Sequence, residues 1–570
     1  MAGLYLIGAW LLVQVAETIL PMFGAPEWVP RSVVILLAIG FIPALIFSWV
    51  FEMTPEGLKR DDDVKPEESI APATARRMDR MIIVVLVLAL GYFAADKFML
   101  ASRRSAPPRA AVSTLNAQSI AVLPFVNMSS EKEQEYFSDG LSEELLNQLA
   151  QIPQLRVIAR TSSFSFKGKE VDVATIAQAL NVANVLEGSV RKSANKLRIT
   201  AQLVRASDSS HLWSQTYDRD LTDVFKVQDE IAGEVVAALK LKLLPSQQPT
   251  NLQRTQNSQA YEQFLIAMEA RKKDSGRPSL VRMAAAAQRA IDLDPEYANA
   301  YAILAEAQAF LADYAASPTE RSAAIEEALE TLAKAIALAP DLATAYGARA
   351  NIRSRLTWDW KGAEADFKKA LALDPNDIPV LADYSQFLFF GGHKDEAIRI
   401  NRKSTTLDPL SPDAWTFLGW HLAFAGQDAE AERVLRRAVE LNPDGQWSNF
   451  TLGYIYLKEG AGEKAREAFE RAPGPFRLAG LAMVEHTLGR ARESEQLLAE
   501  LKAKYAVGFA YQIAQACSWR GDKDGAFEWL DHAYTQHDVG LIRMRHDPIL
   551  ANLHDDPRWA VLVKKMGFAE

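Results

Sequence analysis

The chain has 570 residues, a formal net charge of -9 and a single cysteine, Cys517. This length exceeds what one hydrophobic core covers, so we expect several folding units. An acidic balance without a concentrated cationic face disfavours nucleic acid as a partner, and one cysteine excludes both an intrachain disulfide framework and a cysteine-based zinc site.

Three apolar blocks occupy the first 100 residues, at 4–23, 32–51 and 81–100. Each is about as long as the roughly 20 apolar residues that a helix needs to cross the hydrocarbon core of a membrane. A cleaved signal peptide is the alternative for the first block, but no Lys or Arg precedes it and Glu17 lies inside it. We therefore predict that residues 1–100 form a membrane anchor with three transmembrane helices.

The distribution of basic residues predicts the orientation of this anchor. The first short connection carries only Arg31, whereas the segment between the second and third blocks is basic enough to be cytoplasmic. Three crossings then place the chain beyond about residue 100 in the periplasm, with the anchor in the inner membrane of a bacterium. The basic residues of the second segment are Lys59, Arg60, Lys65, Arg76, Arg77 and Arg80.

Glu17 is a candidate intramembrane polar site. A carboxyl group in lipid is costly unless it is protonated, paired or turned inward. Gln14 and Thr18 lie close to it in sequence, and the three predicted helices contain no basic partner. A role in helix packing is favoured, and a proton or ion relay stays open.

Residues 101–118 are rich in Pro, Ala and Ser and predict a linker, and residues 119–241 predict a small α/β domain. Strand-like and helix-like segments alternate at first, and two strands of alternating polarity then predict an antiparallel meander. The strand candidates begin at Ser119, Leu155, Val182, Lys196 and His211, and the helix candidates follow Ser138–Gly140 or cover Val173–Leu180 and Val224–Leu241.

Several separate blocks of this domain carry a family resemblance: IAVLPFVNMS, YFSDGLSEELLNQL, LRVIARTSSFSFKG, VLEGSVRKSANKLRITAQLV and LWSQTYDRDLTDVFKVQDEIA. They resemble the domain related to the amino-terminal domain of TolB, which is also likened to FlgO-type lipoproteins. The resemblance implies a domain that sits behind membrane anchors and before tetratricopeptide (TPR) arrays, sometimes in chains linked to adenylate cyclases. The β-propeller of TolB is missing here, so binding to Pal does not carry over.

Asp139, Glu143 and Glu144 cluster near a predicted helix start, where paired carboxylates could do acid–base chemistry. Acidic residues in a first helical turn also interact favourably with the helix dipole, and Ser138 and Asp139 fit the role of caps. Gly168 and Gly188 are isolated, so no phosphate-binding loop is present. We predict no catalytic residue and no cofactor.

Residues 242–257 predict a linker, and residues 258–570 predict an array of helix pairs with a C-terminal cap. Leu-Asp-Pro or a close variant recurs so that the prolines 295, 340, 375, 409 and 443 are separated by 45, 35, 34 and 34 residues. The stretch 411–443 shows the repeat most clearly and resembles the TPR, whose period is about 34 residues. Its motif positions are Trp415, Leu418, Gly419, Ala431, Leu435 and Ala438.

Trp360 and Trp420 are candidates for a partner groove on the concave face, where such arrays hold extended or helical peptides. His532, His537, His546 and His554 match no compact metal-ligand spacing, so no metal site is predicted.

The predicted fold class is a membrane-anchored α+β chain with three N-terminal transmembrane helices, a small mixed-sheet α/β domain and a C-terminal all-α TPR solenoid. The predicted function is a membrane-tethered scaffold that binds protein or peptide partners through the TPR groove. The alternative is a regulatory or sensory protein associated with a nucleotide cyclase, although the segments outside these domains are too short for a cyclase core. The sequence leaves the partner's identity and the oligomeric state open.

Overall fold

The computed structural model describes Leu37, residues 51–54 and 57–60, and residues 117–568 except 131–133, 153, 194–195, 240–254, 274–275 and 316. Within these ranges no helix has both the length and the apolar character that a bilayer crossing requires. The predicted spans 4–23, 32–51 and 81–100 lie outside the described residues, except that Leu37 is helical and Phe51 begins a strand. Glu17 also lies outside them.

The chain divides into two compact units, Met1–Val112 and Ser113–Glu570. In the first unit, strands β1 (Phe51–Thr54) and β2 (Gly57–Arg60) form an antiparallel hairpin. The remaining elements belong to the second unit.

A six-stranded mixed sheet opens the second unit, in the order β5-β3-β6-β7-β8 with β4 also paired to β6. Strand β3 runs parallel to β5 and β6, whereas β6, β7 and β8 form an antiparallel meander. The predicted mixed sheet is therefore confirmed. The strands are β3 (Ser119–Val122), β4 (Val126–Asn127), β5 (Arg156–Val157), β6 (Asn184–Ser193), β7 (Lys196–Arg205) and β8 (His211–Asp220).

The helices of this domain are α1 (Glu135–Ala150), α2 (Arg160–Phe164), α3 (Val173–Leu180) and α4 (Val224–Ala238). Helix α1 begins earlier than predicted because Phe137, which is buried, anchors its first turn in the core. Ser138 and Asp139 therefore lie inside the helix, and the prediction that they cap it was wrong.

Helix pairs occupy nearly all of the rest of the chain. They are α5 (Ser258–Lys273) and α6 (Arg277–Leu293), α7 (Ala298–Leu311) and α8 (Pro318–Leu338), α9 (Ala343–Ile352) and α10 (Trp360–Leu373), α11 (Ile378–Phe390) and α12 (Lys394–Leu407), α13 (Pro412–Phe424) and α14 (Asp428–Leu441), α15 (Gln446–Lys458) and α16 (Gly462–Arg471), α17 (Gly474–Thr487) and α18 (Ala491–Tyr505), and α19 (Ala510–Trp519) and α20 (Lys523–Thr535). The predicted TPR-like solenoid is confirmed.

A small residue allows close packing in the fifth pair, α13 and α14. A Cβ atom on Gly419 of α13 would overlap the Leu435 side chain of α14, so the motif glycine permits the approach of the two helices. Gly426, with a φ of +79°, turns the chain between them in a conformation that glycine adopts without strain. We call the first helix of each pair the inner helix and the second the outer helix.

Inner and outer helices differ in burial. In the inner helix α13 nearly every residue from Leu418 to Phe424 is buried, whereas the outer helix α14 buries only one stripe, formed by Ala431, Val434, Leu435 and Ala438. An inner helix therefore contacts neighbours on several sides, and an outer helix leaves one face in water.

The C-terminal segment follows the last pair as two 3₁₀ helices, Val539–His546 and Pro548–Leu553, and a final helix α21 (Pro557–Lys565). This segment folds back onto the third pair. The Trp358 ring stacks on His537 with centroids 4.6 Å apart, and the Trp360 Nε1 donates a hydrogen bond of 3.1 Å to the carbonyl of Met566.

A candidate binding cavity on the concave face

A cavity of about 350 Å³ opens among the inner helices. Its walls come from α11, α13, α15, α17 and α19, together with the π-helical turn Arg353–Thr357 that follows α9 and the 3₁₀ helix Val539–His546. Successive inner helices place their side chains on one surface because the repeat brings the same helical face forward each time. The lining residues are Arg355, Asp383, Gln386, Phe417, Trp420, Gln446, Trp447, Phe476, Gly508, Phe509, Gln512, Asp538, Val539 and Arg543.

A row of aromatic rings forms one wall of the cavity. Trp420 stacks on Trp447 with centroids 5.2 Å apart, and Trp447 meets the edge of Phe476 at 4.5 Å. Phe476 then meets Phe509 at 6.2 Å. Four consecutive inner helices therefore supply one continuous apolar surface, of the kind that small-molecule and peptide sites use for contact area.

Arg543 lies over this wall. Its guanidinium carbon is 4.5 Å from the Trp447 ring centroid and 5.4 Å from that of Trp420, which is a cation–π arrangement. The side chain is only 9% exposed, and burial lowers the pKa of the guanidinium. Arg543 is held there by the 3₁₀ helix, whose start is fixed by Asp538 as it accepts hydrogen bonds from the backbone N–H groups of Tyr511 and Gly540.

Neither arginine of the cavity is paired with an acceptor. Among the described residues, no hydrogen bond or ion pair is found for the guanidinium groups of Arg355 and Arg543. Gln512 has an unpaired acceptor, because its buried Oε1 receives no hydrogen bond within the described part of the chain. Buried polar groups in folded proteins are nearly always paired, so unpaired donors and an unpaired acceptor in one cavity require an explanation.

The carboxylates of the cavity are already engaged. Asp383 accepts a hydrogen bond of 2.6 Å from the Asn351 side chain, and Asp538 accepts the two backbone bonds described above. Burial raises the pKa of both carboxyl groups. They compensate the positive charge of the cavity without binding the arginines directly.

The two tryptophans predicted for a partner groove lie in different places. Trp420 lines the cavity but is only 3% exposed, because Arg543 and neighbouring rings cover it. Trp360 instead lies against the C-terminal segment, with its ring stacked 5.0 Å from Phe568. The structure does not bring them together in one groove, and their role in partner binding stays a prediction.

Sequence reasoning missed Arg355, Trp447 and Arg543. Trp447 repeats the pattern of aromatic residues near inner-helix starts, so the repeat alignment carried a signal for it. Arg543 lies in the segment interpreted as a terminal cap, and nothing in the sequence around it indicates that the segment returns to the inner helices.

The acidic residues of helix α1 make structural contacts. Asp139 forms an ion pair of 2.7 Å with Lys167, and Glu143 forms one of 3.1 Å with Arg160. Within the described ranges, no group of three or more His, Cys, Asp or Glu side chains is arranged to hold a metal ion. Cys517 is fully buried, and burial raises the pKa of its thiol to about 11, so it is a core residue.

The α/β domain docks on the array at two places. At the turn after α12, the Asp408 carboxylate accepts hydrogen bonds from the backbone N–H of Ser162 at 2.9 Å and from its hydroxyl at 2.5 Å. The Ser162 hydroxyl in turn accepts a hydrogen bond from the Leu410 N–H at 2.7 Å.

At the first inner helix, Glu262 of α5 accepts hydrogen bonds from the Tyr136 hydroxyl and from Lys192, the latter at 2.8 Å. Gly140 of α1 gives room to Leu265 of the same helix. The domain and the array thus form one packed unit with a shared apolar core that runs from Ile120 to Ile352.

The α/β domain is similar to known proteins. Residues 116–234 match the family described as the second domain of HilA/YgeH-like transcriptional regulators. A protein of Rhizobium meliloti (strain 1021) named "Putative adenylate cyclase 3" is 41% identical over 189 residues, which are 33% of this chain and 32% of that protein. The chain therefore spans about a third of the length of the curated relative it matches.

Solved structures match the helical repeats. PilW, a widely conserved type IV pilus biogenesis factor, is 20% identical, with 35% of this chain and 94% of that chain covered and a TM-score of 0.31. YrrB, a TPR protein with an unusual peptide-binding site, is 21% identical, with coverages of 37% and 97% and a TM-score of 0.27. At these identities and scores the likeness does not extend to function, and the TPR-like architecture stands on the helix pairs of this chain.

Proposed function

We propose that this chain is a protein–protein interaction scaffold that is tethered to a membrane and binds partners through the inner face of its array. The observation that carries the proposal is the inner face, to which five consecutive inner helices contribute aromatic and polar side chains. Repeat arrays use this face for polypeptides because its side chains come from many repeats and offer a long continuous surface.

The docked α/β domain supports the scaffold role. Its contacts at Asp408 and Glu262 are far apart along the array, so the domain is fixed in orientation relative to the inner helices. A partner that touches both parts would then meet a preorganised surface, which lowers the entropic cost of binding. The resemblance of residues 119–241 to the TolB amino-terminal domain supports the same proposal, since such domains occur in chains that carry a membrane anchor and a TPR array.

The tether and its sidedness rest on the sequence. The three apolar blocks at 4–23, 32–51 and 81–100 and the basic segment after the second block support an inner-membrane anchor with the chain beyond about residue 100 in the periplasm. A reporter enzyme active only in the periplasm, fused after Glu570, should be active in whole cells. Activity confined to a cytoplasmic reporter at the same position would contradict this sidedness while leaving the scaffold role open.

A second candidate function is regulation of a nucleotide cyclase. The relative named for adenylate cyclase activity favours it, although the match covers only a third of that protein. In this case a cyclase should copurify with the full-length chain and its cyclic nucleotide output should change when the chain is deleted. Unchanged output with a separate set of bound proteins would favour the scaffold alone.

Site-specific photocrosslinking in native cells tests the scaffold role. A photoreactive amino acid at Gln446, which lines the cavity, should form adducts with a defined polypeptide. The control carries the same photoreactive amino acid in place of Arg433, which is exposed on the outer helix α14, and it should form no such adduct. Adducts at Arg433 that equal those at Gln446, or none at either position, would overturn binding through the inner face.

A further inference from the structure

The cavity holds two cations that have no directly bonded anion, although the carboxylates of Asp383 and Asp538 belong to the same lining. Arg355 and Arg543 line the same 350 Å³ space, and within the described residues neither guanidinium has a carboxylate or carbonyl partner. Arg543 is attracted by the charges of Asp538 and Asp547 and repelled by that of Arg355. Arg543 is buried and Arg355 is half-buried, so placing the two cations together is costly, and the planar guanidinium fork is suited to carboxylate and phosphate oxygens.

The surroundings of the arginines define the rest of a ligand. The wall formed by Trp420, Trp447 and Phe476 offers flat apolar contact area, which favours a planar or apolar body next to the anionic group. The unpaired Oε1 of Gln512 can accept a hydrogen bond from that body. Asp383 and Asp538 already accept hydrogen bonds from other groups, and the arginines supply the cationic donors of the site.

The C-terminal segment limits the size of what can bind. Because the 3₁₀ helix Val539–His546 places Arg543 over the aromatic wall, an extended peptide cannot lie along that wall without displacing it. The remaining volume of about 350 Å³ lies in the range of small-molecule sites.

We propose that this cavity binds a small organic anion, in which a carboxylate or a phosphate is attached to a flat aromatic body. The anionic group pairs with Arg355 and Arg543, and the flat body lies against the tryptophan wall. This site does not depend on the scaffold proposal, since a polypeptide partner and a small anion would be detected by separate experiments.

Isothermal titration calorimetry on the purified full-length chain tests the site with two probes. Adenosine monophosphate presents a phosphate on a flat base, and phenylpyruvate presents a carboxylate on a ring. At least one should bind saturably, and the better of the two identifies the preferred anion. Adenosine, which lacks the anion, and inorganic phosphate, which lacks the ring, should bind about tenfold more weakly or not at all.

Variants locate the binding. Arg355→Gln and Arg543→Gln should each weaken the better probe by about tenfold or more, since each removes a charge-assisted hydrogen bond. Arg433→Gln on the outer helix α14 is the matched control and should leave the affinity unchanged. Arg543 also packs against the aromatic wall, so Arg543→Gln can unfold the protein. In that case Arg355→Gln decides the outcome, because Arg355 has no hydrogen-bond partner to lose.

Three results would overturn the proposal. They are the absence of saturable binding by either probe at millimolar concentration, equal affinity in the parent and in folded Arg355→Gln, and adenosine or inorganic phosphate binding as tightly as the better probe.

Discussion

Asp408 and Arg543 are both buried charged residues of the second unit, yet they differ in how their polar atoms are paired. Asp408 is 1% exposed and accepts hydrogen bonds from both the N–H and the hydroxyl of Ser162. Arg543 is 9% exposed and, in the part of the chain that the structure describes, its guanidinium contacts aromatic rings and has no acceptor within hydrogen-bond distance.

This difference separates a structural contact from a binding site. A buried group whose hydrogen bonds are all made within the protein stabilises one arrangement of the chain, and its removal leaves partners unpaired. A group that is held in place but left unpaired contributes little to folding and keeps its hydrogen-bonding capacity for a ligand. The following predictions test this separation.

The largest effect is expected at the docking contact. Asp408→Ala leaves the Ser162 N–H and hydroxyl without their acceptor in a buried interface, so the free energy of unfolding should fall by about 3 kcal/mol. Urea denaturation of the purified chain measures it. Asp374→Ala is the matched control, since Asp374 follows α10 at the equivalent repeat position and accepts hydrogen bonds from the backbone N–H groups of Asn376 and Asp377 in its own turn. In Asp374→Ala the free energy of unfolding should fall by about 1 kcal/mol. Equal decreases in the two variants would contradict a special role for Asp408.

A pH-dependent effect is expected on the inner helix that carries Trp420. His421 is fully buried, its Nδ1 accepts a hydrogen bond of 2.6 Å from the Asn401 amide, and burial lowers the pKa of its ring to about 3. The folded state therefore binds the proton less readily than the unfolded state, whose histidine has a pKa of about 6.5. The stability that neutral His421 provides is present above about pH 6.5 and is lost as the pH falls toward 3.

In His421→Gln the decline in unfolding free energy between about pH 6 and 4 should be shallower by up to about 1.4 kcal/mol per pH unit. Denaturation at a series of pH values measures this slope. A slope equal to that of the parent would show that His421 titrates normally and that the helix behind the cavity wall is open to water.

A smaller effect is expected at the second docking contact. Glu262→Ala removes the acceptor shared by Tyr136 and Lys192, but the Glu262 side chain is 30% exposed, so the unfolding free energy should fall by only about 1 kcal/mol. Glu269→Ala, whose partner Arg282 lies on the surface, is the control and should change it by no more than about 0.5 kcal/mol. A loss at Glu262 as large as that at Asp408 would mean that exposure does not weaken this contact.

The smallest effect on stability is expected inside the cavity. Arg355→Gln removes a cation with no bonded partner among the described residues and relieves its repulsion of Arg543, so the unfolding free energy should stay within about 0.5 kcal/mol of the parent value. The same urea titration measures it. A loss of several kcal/mol would make Arg355 a structural residue and remove the contrast with Asp408.

Much of the fold could be predicted because its determinants are local. Gly419 and Leu435 meet within one helix pair, so a spacing of 16 residues in the sequence already contains the contact. The meander of β6, β7 and β8 is likewise built from consecutive strands with short turns. The start of α1 was missed because the burial of Phe137 outweighs the capping tendency of Ser138.

The site could be predicted only in part because its determinants are distant. Trp420 was selected for its place in the repeat, but the guanidinium over it comes from the C-terminal segment. In the same way, Asp408 belongs to a tripeptide that recurs at other repeat boundaries, such as Leu293–Pro295 and Leu373–Pro375. The sequence does not reveal that Asp408 is the one that accepts hydrogen bonds from Ser162. Such pairings depend on the superhelical path of the whole array.

A thermal-shift comparison of three full-length proteins tests the separation most directly. The parent, Asp408→Ala and Arg355→Gln are each heated with and without the better-binding of adenosine monophosphate and phenylpyruvate. We predict that Asp408→Ala has a lower Tm but keeps the ligand-induced rise in Tm, whereas Arg355→Gln keeps the parental Tm and loses that rise. A parent Tm that no probe raises, or an Arg355→Gln variant that loses stability as Asp408→Ala does, would contradict the account.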